Sequence, residues 1–458
     1  MGSLSCFKSY DVRGKLGVEL DEPLAYLIGR GFARVLEPGL VVIGRDVRES
    51  SPALQAALIA GLRDEGVGVI DLGLCGTEEV YFATDHFGAG GGLMVTASHN
   101  PIDYNGIKMV REGARPISGE TGLNAIRDLV AADDLGPVVA QGPLRHDSAR
   151  EAYADRVVSY LNPVGLRPLT ILVNAGNGVA GPAFDVIEER LAAIGAPFTF
   201  VRLHHEADSS FPNGIPNPLL SANQPVTAQA VRDAGANMGV AWDGDFDRCF
   251  FFDETGAFID GEYVVGLLAQ AFLAKEPGAR IVHDPRVMWN TVDVVTRGGG
   301  VPVVCQTGHA HVKAVMREVD AAYGGEMSAH HYFRAFMYCD SGMIPWLLVA
   351  ERMGTTGKTL SALVAEMREA FPSSGEINFE IADKAAVIAR FEARYLPEAL
   401  SEDRLDGISL DMGAWRVNLR SSNTENLLRL NVETRGDRAL LEAKVAEVSA
   451  LIARHASW

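Results

Sequence analysis

The sequence predicts an α/β fold: three similar α/β domains in tandem, built on mixed, largely parallel sheets, followed by a smaller α+β domain. Two observations predict it. A strand-loop-helix-strand pattern occurs three times, and after about residue 372 it gives way to alternating strands and one amphipathic helix. Apolar strands joined through helices of roughly ten residues read as βαβ units, because parallel strands need a long crossover.

The first copy begins at Val41-Val42-Ile43 and passes through Gly44-Arg45-Asp46-Val47-Arg48 to a helix over 52–63 and a strand over 67–72. In the second, a strand over 169–173 leads into Asn174-Ala175-Gly176-Asn177-Gly178, a helix over 184–194 and a strand over 198–202. The third has a strand over 279–282, a turn at His283-Asp284-Pro285-Arg286, a helix over 289–296 and a return strand over 301–305. Between the second and third copies, Asp253-Glu254-Thr255-Gly256 reads as a hairpin turn. In the last part, residues 376–381, 416–419 and 427–432 read as strands. Leu440, Leu441, Lys444, Val445, Val448, Leu451 and Ile452 fall near a 3.6-residue period, with Asp437 at the start and Arg454 and His455 at the end, as the helix dipole favours. Boundaries near Asp147, Asp253 and Ser373 divide the chain into 1–147, 148–253, 254–372 and 373–458.

Composition narrows the function classes. No apolar run approaches the roughly 20 residues of a membrane span, and no secretion-signal pattern is evident, so a cytoplasmic enzyme is expected. Cys6, Cys75, Cys249, Cys305 and Cys339 are scattered without a C-x-x-C pair, which argues against a disulfide framework or a zinc site. The net charge of −18 over 458 residues disfavours nucleic acid and anionic membrane as partners. A small anionic substrate is still allowed, because exposed charge is screened beyond about 8 Å at physiological salt. Its phosphate site must then be locally cationic. A monomer is expected, with an oligomer left open.

Four stretches carry chemistry. Asp243-Gly244-Asp245-Phe246-Asp247-Arg248 places three carboxylates at alternate positions before the apolar run 249–252. On extended backbone they point the same way and offer hard oxygen ligands suited to Mg²⁺ or Ca²⁺; the alternative is a solvated acidic turn. An EF-hand is set aside, since Arg248 stands where that loop needs Gly. Thr96-Ala97-Ser98-His99-Asn100-Pro101 follows an apolar strand, and Ser98 is either a nucleophile displayed on a loop or a turn serine bonded to its own backbone. Downstream, Lys108 is a surface lysine or, if its pKa is lowered, a proton carrier. Gly324-Gly325-Glu326-Met327-Ser328-Ala329-His330-His331 mixes donors and acceptors suited to sugar hydroxyls. Its adjacent imidazoles would diverge in a strand, which argues against a shared transition metal. Thr307-Gly308-His309 is a further polar turn. Arg420-Ser421-Ser422-Asn423-Thr424-Glu425-Asn426 is a donor-rich loop able to cradle an anion. No phosphate-binding glycine motif of a nucleotide site accompanies it.

With TASHNP, DGDFDR, GEMSAHHYF and RSSNTE in this order, the chain resembles the α-D-phosphohexomutases, specifically the bacterial phosphomannomutase/phosphoglucomutase group, from residue 7 to its end. The resemblance implies three α/β domains and a smaller fourth around one central cleft. It implies that Ser98 carries the phosphoryl group and that Asp243, Asp245 and Asp247, with a phosphoserine oxygen, hold Mg²⁺. Lys108, Arg13 and His309 would act near the transferring group, and Tyr10, Arg248 and Arg286 would line the substrate site. Glu326, Ser328 and His330 would meet sugar hydroxyls, and Arg420, Ser422, Asn423 and Thr424 the phosphate that stays. The implied reaction is reversible transfer between C1 and C6 of mannose or glucose phosphates, with hexose 1,6-bisphosphate as intermediate and activator. A phosphoglucosamine mutase and a Mg²⁺-dependent sugar-phosphate phosphatase are the alternatives, and a non-catalytic sugar-phosphate sensor is a third. Asn426, where the family usually has Pro, and His311, at a usually small or apolar position, depart from the pattern.

Overall fold

The computed structural model describes residues 4–132, 135–421 and 427–453. The chain forms two compact units, Met1–Phe258 with His330–Thr359, and Ile259–Ala329 with Leu360–Trp458.

The first unit contains two mixed sheets. One has Leu40–Arg45 flanked by Gly68–Leu74 and Gly91–Val95, both parallel to it. Tyr104–Arg111 then joins Gly91–Val95 antiparallel and Val12–Lys15 pairs antiparallel beyond it. Helix Ser51–Asp64 is the predicted crossover, and its Leu54 and Leu58 share a core with Ile43, Leu93 and Val95. The alternation of residue types therefore placed strand and helix correctly within about two residues.

In the other sheet Leu169–Asn174 lies between Phe198–Leu203 and Met238–Trp242, parallel to both, and Cys249–Asp253 pairs antiparallel with Met238–Trp242. Both Met238–Trp242 and Cys249–Asp253 are buried throughout, which is why residues 249–252 read as a continuous apolar run rather than an alternation. The second copy's helix is Ala180–Ala193, starting before the predicted residue 184. Pro182 is admitted there because N–H groups in a first helical turn have no intrahelical partner to lose. The predicted turn after Cys249–Asp253 is held by Asp253, whose Oδ1 accepts from Thr255 N at 2.9 Å and Ala257 N at 3.0 Å. A hairpin of His331–Phe333 with Cys339–Asp340 also belongs to this unit.

In the second unit Arg280–His283 lies between Val301–Val304 and Tyr323–Gly325, parallel to both. An antiparallel sheet follows, in the order Ile377–Glu380, Leu427–Thr434, Trp415–Ser421, Ile408–Asp411, Ser401–Asp403. Helix Arg438–Ala453 buries Leu441, Val448 and Ile452 in the core of that sheet, and Asp437 accepts from Leu440 N at 2.9 Å at its start. Arg454 and His455 lie outside the described residues. All five cysteines are buried and unbridged, and no described helix is long and apolar enough to cross a membrane.

Candidate active site

Two loops of the first unit meet at Ser98 and Asp243. Ser98 follows strand Gly91–Val95, and Asp243 follows Met238–Trp242. Ser98 has a left-handed backbone, φ +49°, and is 4% exposed. Its Oγ donates to Asp243 Oδ2 at 2.6 Å and lies 3.0 Å from His99 Nδ1. Arg248 donates to the same Asp243 oxygen from Nε at 2.9 Å and from a terminal nitrogen at 2.7 Å. That second nitrogen also reaches Ser98 Oγ at 3.4 Å and the His99 ring. Burial and the Arg248 guanidinium push the His99 pKa well down, so its imidazole is neutral. The loops approach so closely that a Cβ on Gly244 would lie 2.6 Å from the Ser98 carbonyl oxygen, leaving room for glycine alone.

Asp243, Asp245 and Asp247 are all buried, with carboxylate oxygens from each within 4.8 Å of one another. Lys108 Nζ donates to Asp245 at 2.7 Å and to Asp247 at 2.5 Å, and Thr77 Oγ1 donates to Asp245 at 2.6 Å. Burial opposes the Lys108 charge, but these two carboxylates outweigh it and raise the Lys108 pKa. The ammonium is locked on, the opposite of the lowered pKa a proton carrier needs. Burial likewise disfavours the Asp245 carboxylate, and Lys108 reverses that effect and holds the group below the usual range. Asp247 is pushed up by burial and by Asp245. Asp245 Oδ1 and Asp247 Oδ1 are buried with no hydrogen-bond partner. An all-oxygen, carboxylate-rich set with two unsatisfied oxygens fits a hard divalent cation.

Arg13 donates to Asn100 Oδ1 at 2.6 Å and to Asp11 at 2.7 Å, beside the serine loop. Tyr10 sits in the bend before strand Val12–Lys15, half-buried. His330 belongs to this unit too, with Nδ1 3.1 Å from Asp340 Oδ2. Asp247, His330 and Asp340 form a second group of three ligating side chains whose atoms lie within 4.8 Å of one another.

Glu326 and Ser328 fall in the second unit, with Arg286, His309 and Arg420. Arg286 donates to Asp284 Oδ2 at 2.7 Å and to Ser328 Oγ at 3.3 Å, and lies 3.9 Å from Glu326. Glu326 accepts from Gly308 N at 2.9 Å, just before helix His309–Val319. Glu376 gathers three guanidiniums: Arg420 at 3.1 Å, Arg286 at 3.4 Å and Arg429 at 3.5 Å. Burial opposes the Glu376 charge, and the arginines hold its pKa down nonetheless. Asp284 at 2.7 Å and Glu326 at 3.9 Å from Arg286, and Asp406 at 3.9 Å from Arg420, also belong to this cluster, so its guanidiniums are held by carboxylates rather than left in net excess. Ser422, Asn423 and Thr424 lie outside the described residues.

Sequence reasoning missed Thr77, Asp340, Glu376 and Arg429 as members of these clusters. Thr77 lies 168 residues from Asp245 and Glu376 lies 44 from Arg420, whereas Asp340 is only ten from His330, and none of the four sits in a motif that advertises the contact.

Comparison with known proteins gives the class. The chain matches four domain families, described as phosphoglucomutase/phosphomannomutase alpha/beta/alpha domain I at residues 5–136, domain II at 151–256, domain III at 260–371 and C-terminal domain at 376–451. A phosphomannomutase of Salmonella montevideo is 57% identical over 454 residues, covering 99% of this chain and all of the relative. Proteins described as phosphohexose mutases in Xanthomonas campestris pv. campestris (strain B100) are 58% identical over 450 residues, 98% of this chain and 99% of theirs. A crystal structure of a phosphoglucomutase/phosphomannomutase family protein from Burkholderia thailandensis superposes with TM-score 0.87 at 31% identity, covering 100% of this chain and 98% of that one. Fold and site thus define an enzyme of the mutase class, an isomerase that moves a phosphoryl group within one molecule. The chain belongs to the phosphoglucomutase/phosphomannomutase family.

Proposed function

We propose that this enzyme interconverts hexose 1-phosphates and hexose 6-phosphates, mannose and/or glucose, through a phosphorylated Ser98 and a bisphosphorylated sugar. The observation that carries the reading is a buried serine hydroxyl 2.6 Å from Asp243, in contact with Arg248 and beside two further carboxylates. A hydroxyl so surrounded is poised to carry a charged group rather than to decorate a turn.

Asp243, Asp245, Asp247 and a phosphoryl oxygen on Ser98 would hold Mg²⁺, and the two unsatisfied buried oxygens support that assignment. When bound, the ion supplies neutralisation of phosphoserine charge. The chain's own groups do the rest by positioning and electrostatics. Arg248 faces Ser98 Oγ and offsets charge that develops there. The phosphoryl group leaves Ser98 Oγ as the P–O bond breaks, and a new bond forms to the free C1 or C6 oxygen, whose proton departs to a base. The bisphosphate then presents its other phosphate to Ser98, and transfer back yields the isomer. Lys108, Arg13 and His309 are assigned to charge and proton at the transferring group, with Lys108 acting as a fixed ammonium. Tyr10, Glu326, Ser328 and His330 are assigned to the sugar. Arg286, Arg420, Ser422, Asn423 and Thr424 are assigned to the phosphate that stays, which would meet the guanidiniums now gathered on Glu376. Domain limits at 147, 253 and 372, a cytoplasmic location and a monomeric state complete the proposal.

Two assays test it. In a coupled assay with catalytic glucose 1,6-bisphosphate, mannose 1-phosphate or glucose 1-phosphate is converted, and Ser98→Ala loses at least about 10³-fold in kcat. Near-wild-type turnover by Ser98→Ala sinks the scheme. Release of inorganic phosphate without isomer marks a phosphatase, and preference for glucosamine 1-phosphate marks the neighbouring mutase specificity.

A further inference from the structure

We infer that Arg48, which has no part in the motif chemistry above, is a positioning residue for the reaction: its guanidinium holds the Ser98 loop in the conformation that presents Oγ to Asp243. This inference rests on the assignment of Ser98 as the phosphoryl carrier.

Sheet register brings the two together. Strands Leu40–Arg45 and Gly91–Val95 are parallel neighbours, with Arg45 opposite Val95. Arg48 and Ser98 each lie three residues beyond those paired ends, on loops leaving the same edge of the sheet. Arg48 is 1% exposed, so its charge is held by protein groups rather than by water. One terminal nitrogen donates to Ser98 O at 3.0 Å and to Asn100 O at 2.6 Å. The other donates to Pro101 O at 2.8 Å and Tyr104 O at 3.1 Å. One side chain thereby ties four carbonyls of the loop and of the strand that follows. Only a guanidinium has a planar fork of donors able to do this.

The loop needs such a tie. Ser98 adopts φ +49°, a left-handed conformation that costs a residue with a Cβ roughly 1–2 kcal/mol and persists only where its surroundings over-determine it. Ser98 N donates to Thr96 Oγ1 at 2.9 Å, and its carbonyl is pressed between the Arg48 guanidinium and Gly244. Arg48 is held in turn by Asp46, which accepts from Arg48 N at 3.0 Å and from Ser51 Oγ at 2.5 Å, and whose second oxygen lies 3.5 Å from Arg48 Nε. Without the fork, four carbonyls each lose a donor, Pro101 O keeping only Tyr104 N at 3.1 Å, and the serine relaxes toward ordinary backbone, which swings Oγ off the line to Asp243. A displacement of about 1 Å at a reacting atom costs on the order of 10²-fold in rate.

The test uses the full-length enzyme loaded with Mg²⁺ and compares wild type, Arg48→Lys and Arg48→Ala. Ser98→Ala is the control for the assignment of Ser98: turnover near wild type in that variant condemns the assignment, whereas its loss of turnover leaves the Arg48 variants to judge Arg48. The expected result is kcat lower by about 10²-fold in Arg48→Ala and at least tenfold in Arg48→Lys, with KM within about threefold of wild type. Added guanidinium ion should restore Arg48→Ala by tenfold or more, a readout that a purely structural loss would not show. Should Arg48→Ala prove too unstable to assay, Arg48→Lys, which keeps a cation for Asp46, decides by the same kcat and KM criteria. Turnover within twofold of wild type in the folded variants overturns the inference. So does a loss in which KM rises as much as kcat falls and guanidinium restores nothing.

Discussion

At the residue scale the site is a set of charges kept buried by their neighbours. Asp247 is the least comfortable of them: burial and Asp245 raise its pKa, and one of its oxygens has no hydrogen-bond partner. A neutral amide of the same shape relieves that repulsion while removing a ligand. Asp247→Asn is therefore expected to lower kcat by 10²-fold or more, yet to raise metal-free stability by something of order 1 kcal/mol. Turnover and thermal melting in EDTA measure the two effects. Parallel losses in both would make Asp247 a structural residue. The same reasoning explains Lys108, whose ammonium balances Asp245 and Asp247 and is thereby kept from acting as a base.

At the element scale, function depends on two loops leaving neighbouring sheets and touching backbone to backbone. Gly244 is the contact point on the carboxylate loop, and Thr77 N donates to Asp245 O at 3.1 Å beside it. A methyl group on Gly244 would press on the Ser98 carbonyl and move one loop or both. Gly244→Ala should cost about 1–3 kcal/mol of stability in denaturant unfolding and a disproportionately larger share of kcat, since Ser98 moves against Asp243. An active Gly244→Ala enzyme would mean that the loops have slack the packing does not suggest. Strand 301–305 and helix 289–296 were legible from local alternation, and they appear as Val301–Val304 and Trp289–Arg297. Element ends were less so, as Ala180–Ala193 illustrates, because a first helical turn tolerates residues that a pattern treats as breakers.

At the scale of the whole molecule, acid should unfold the protein partly through buried histidine. Burial, with His330 beside it, lowers the His331 pKa to about 3, so the folded state keeps that imidazole neutral while the unfolded state takes up a proton below about 6.5. Its contribution to stability is complete above pH 6.5 and is lost as pH falls from there towards 3, by at most about 1.4 kcal/mol per pH unit. Melting temperatures at pH 7 and pH 5 should fall less steeply for His331→Gln than for wild type, and equal slopes would deny the group this role. By itself the sequence determined the βαβ repeats, the change to an α+β unit after residue 372, the motif serine, the aspartate triad and the family they resemble, because local periodicity and motif spacing are properties of neighbouring residues. Only the tertiary structure decided that Arg48 reaches Ser98, that Lys108 sits on Asp245 and Asp247, and that Glu376 collects three arginines. Those partners are 44 to 139 residues apart in the chain, and sheet register and close loop packing, rather than any repeat in the sequence, bring their charges within hydrogen-bond or ion-pair range.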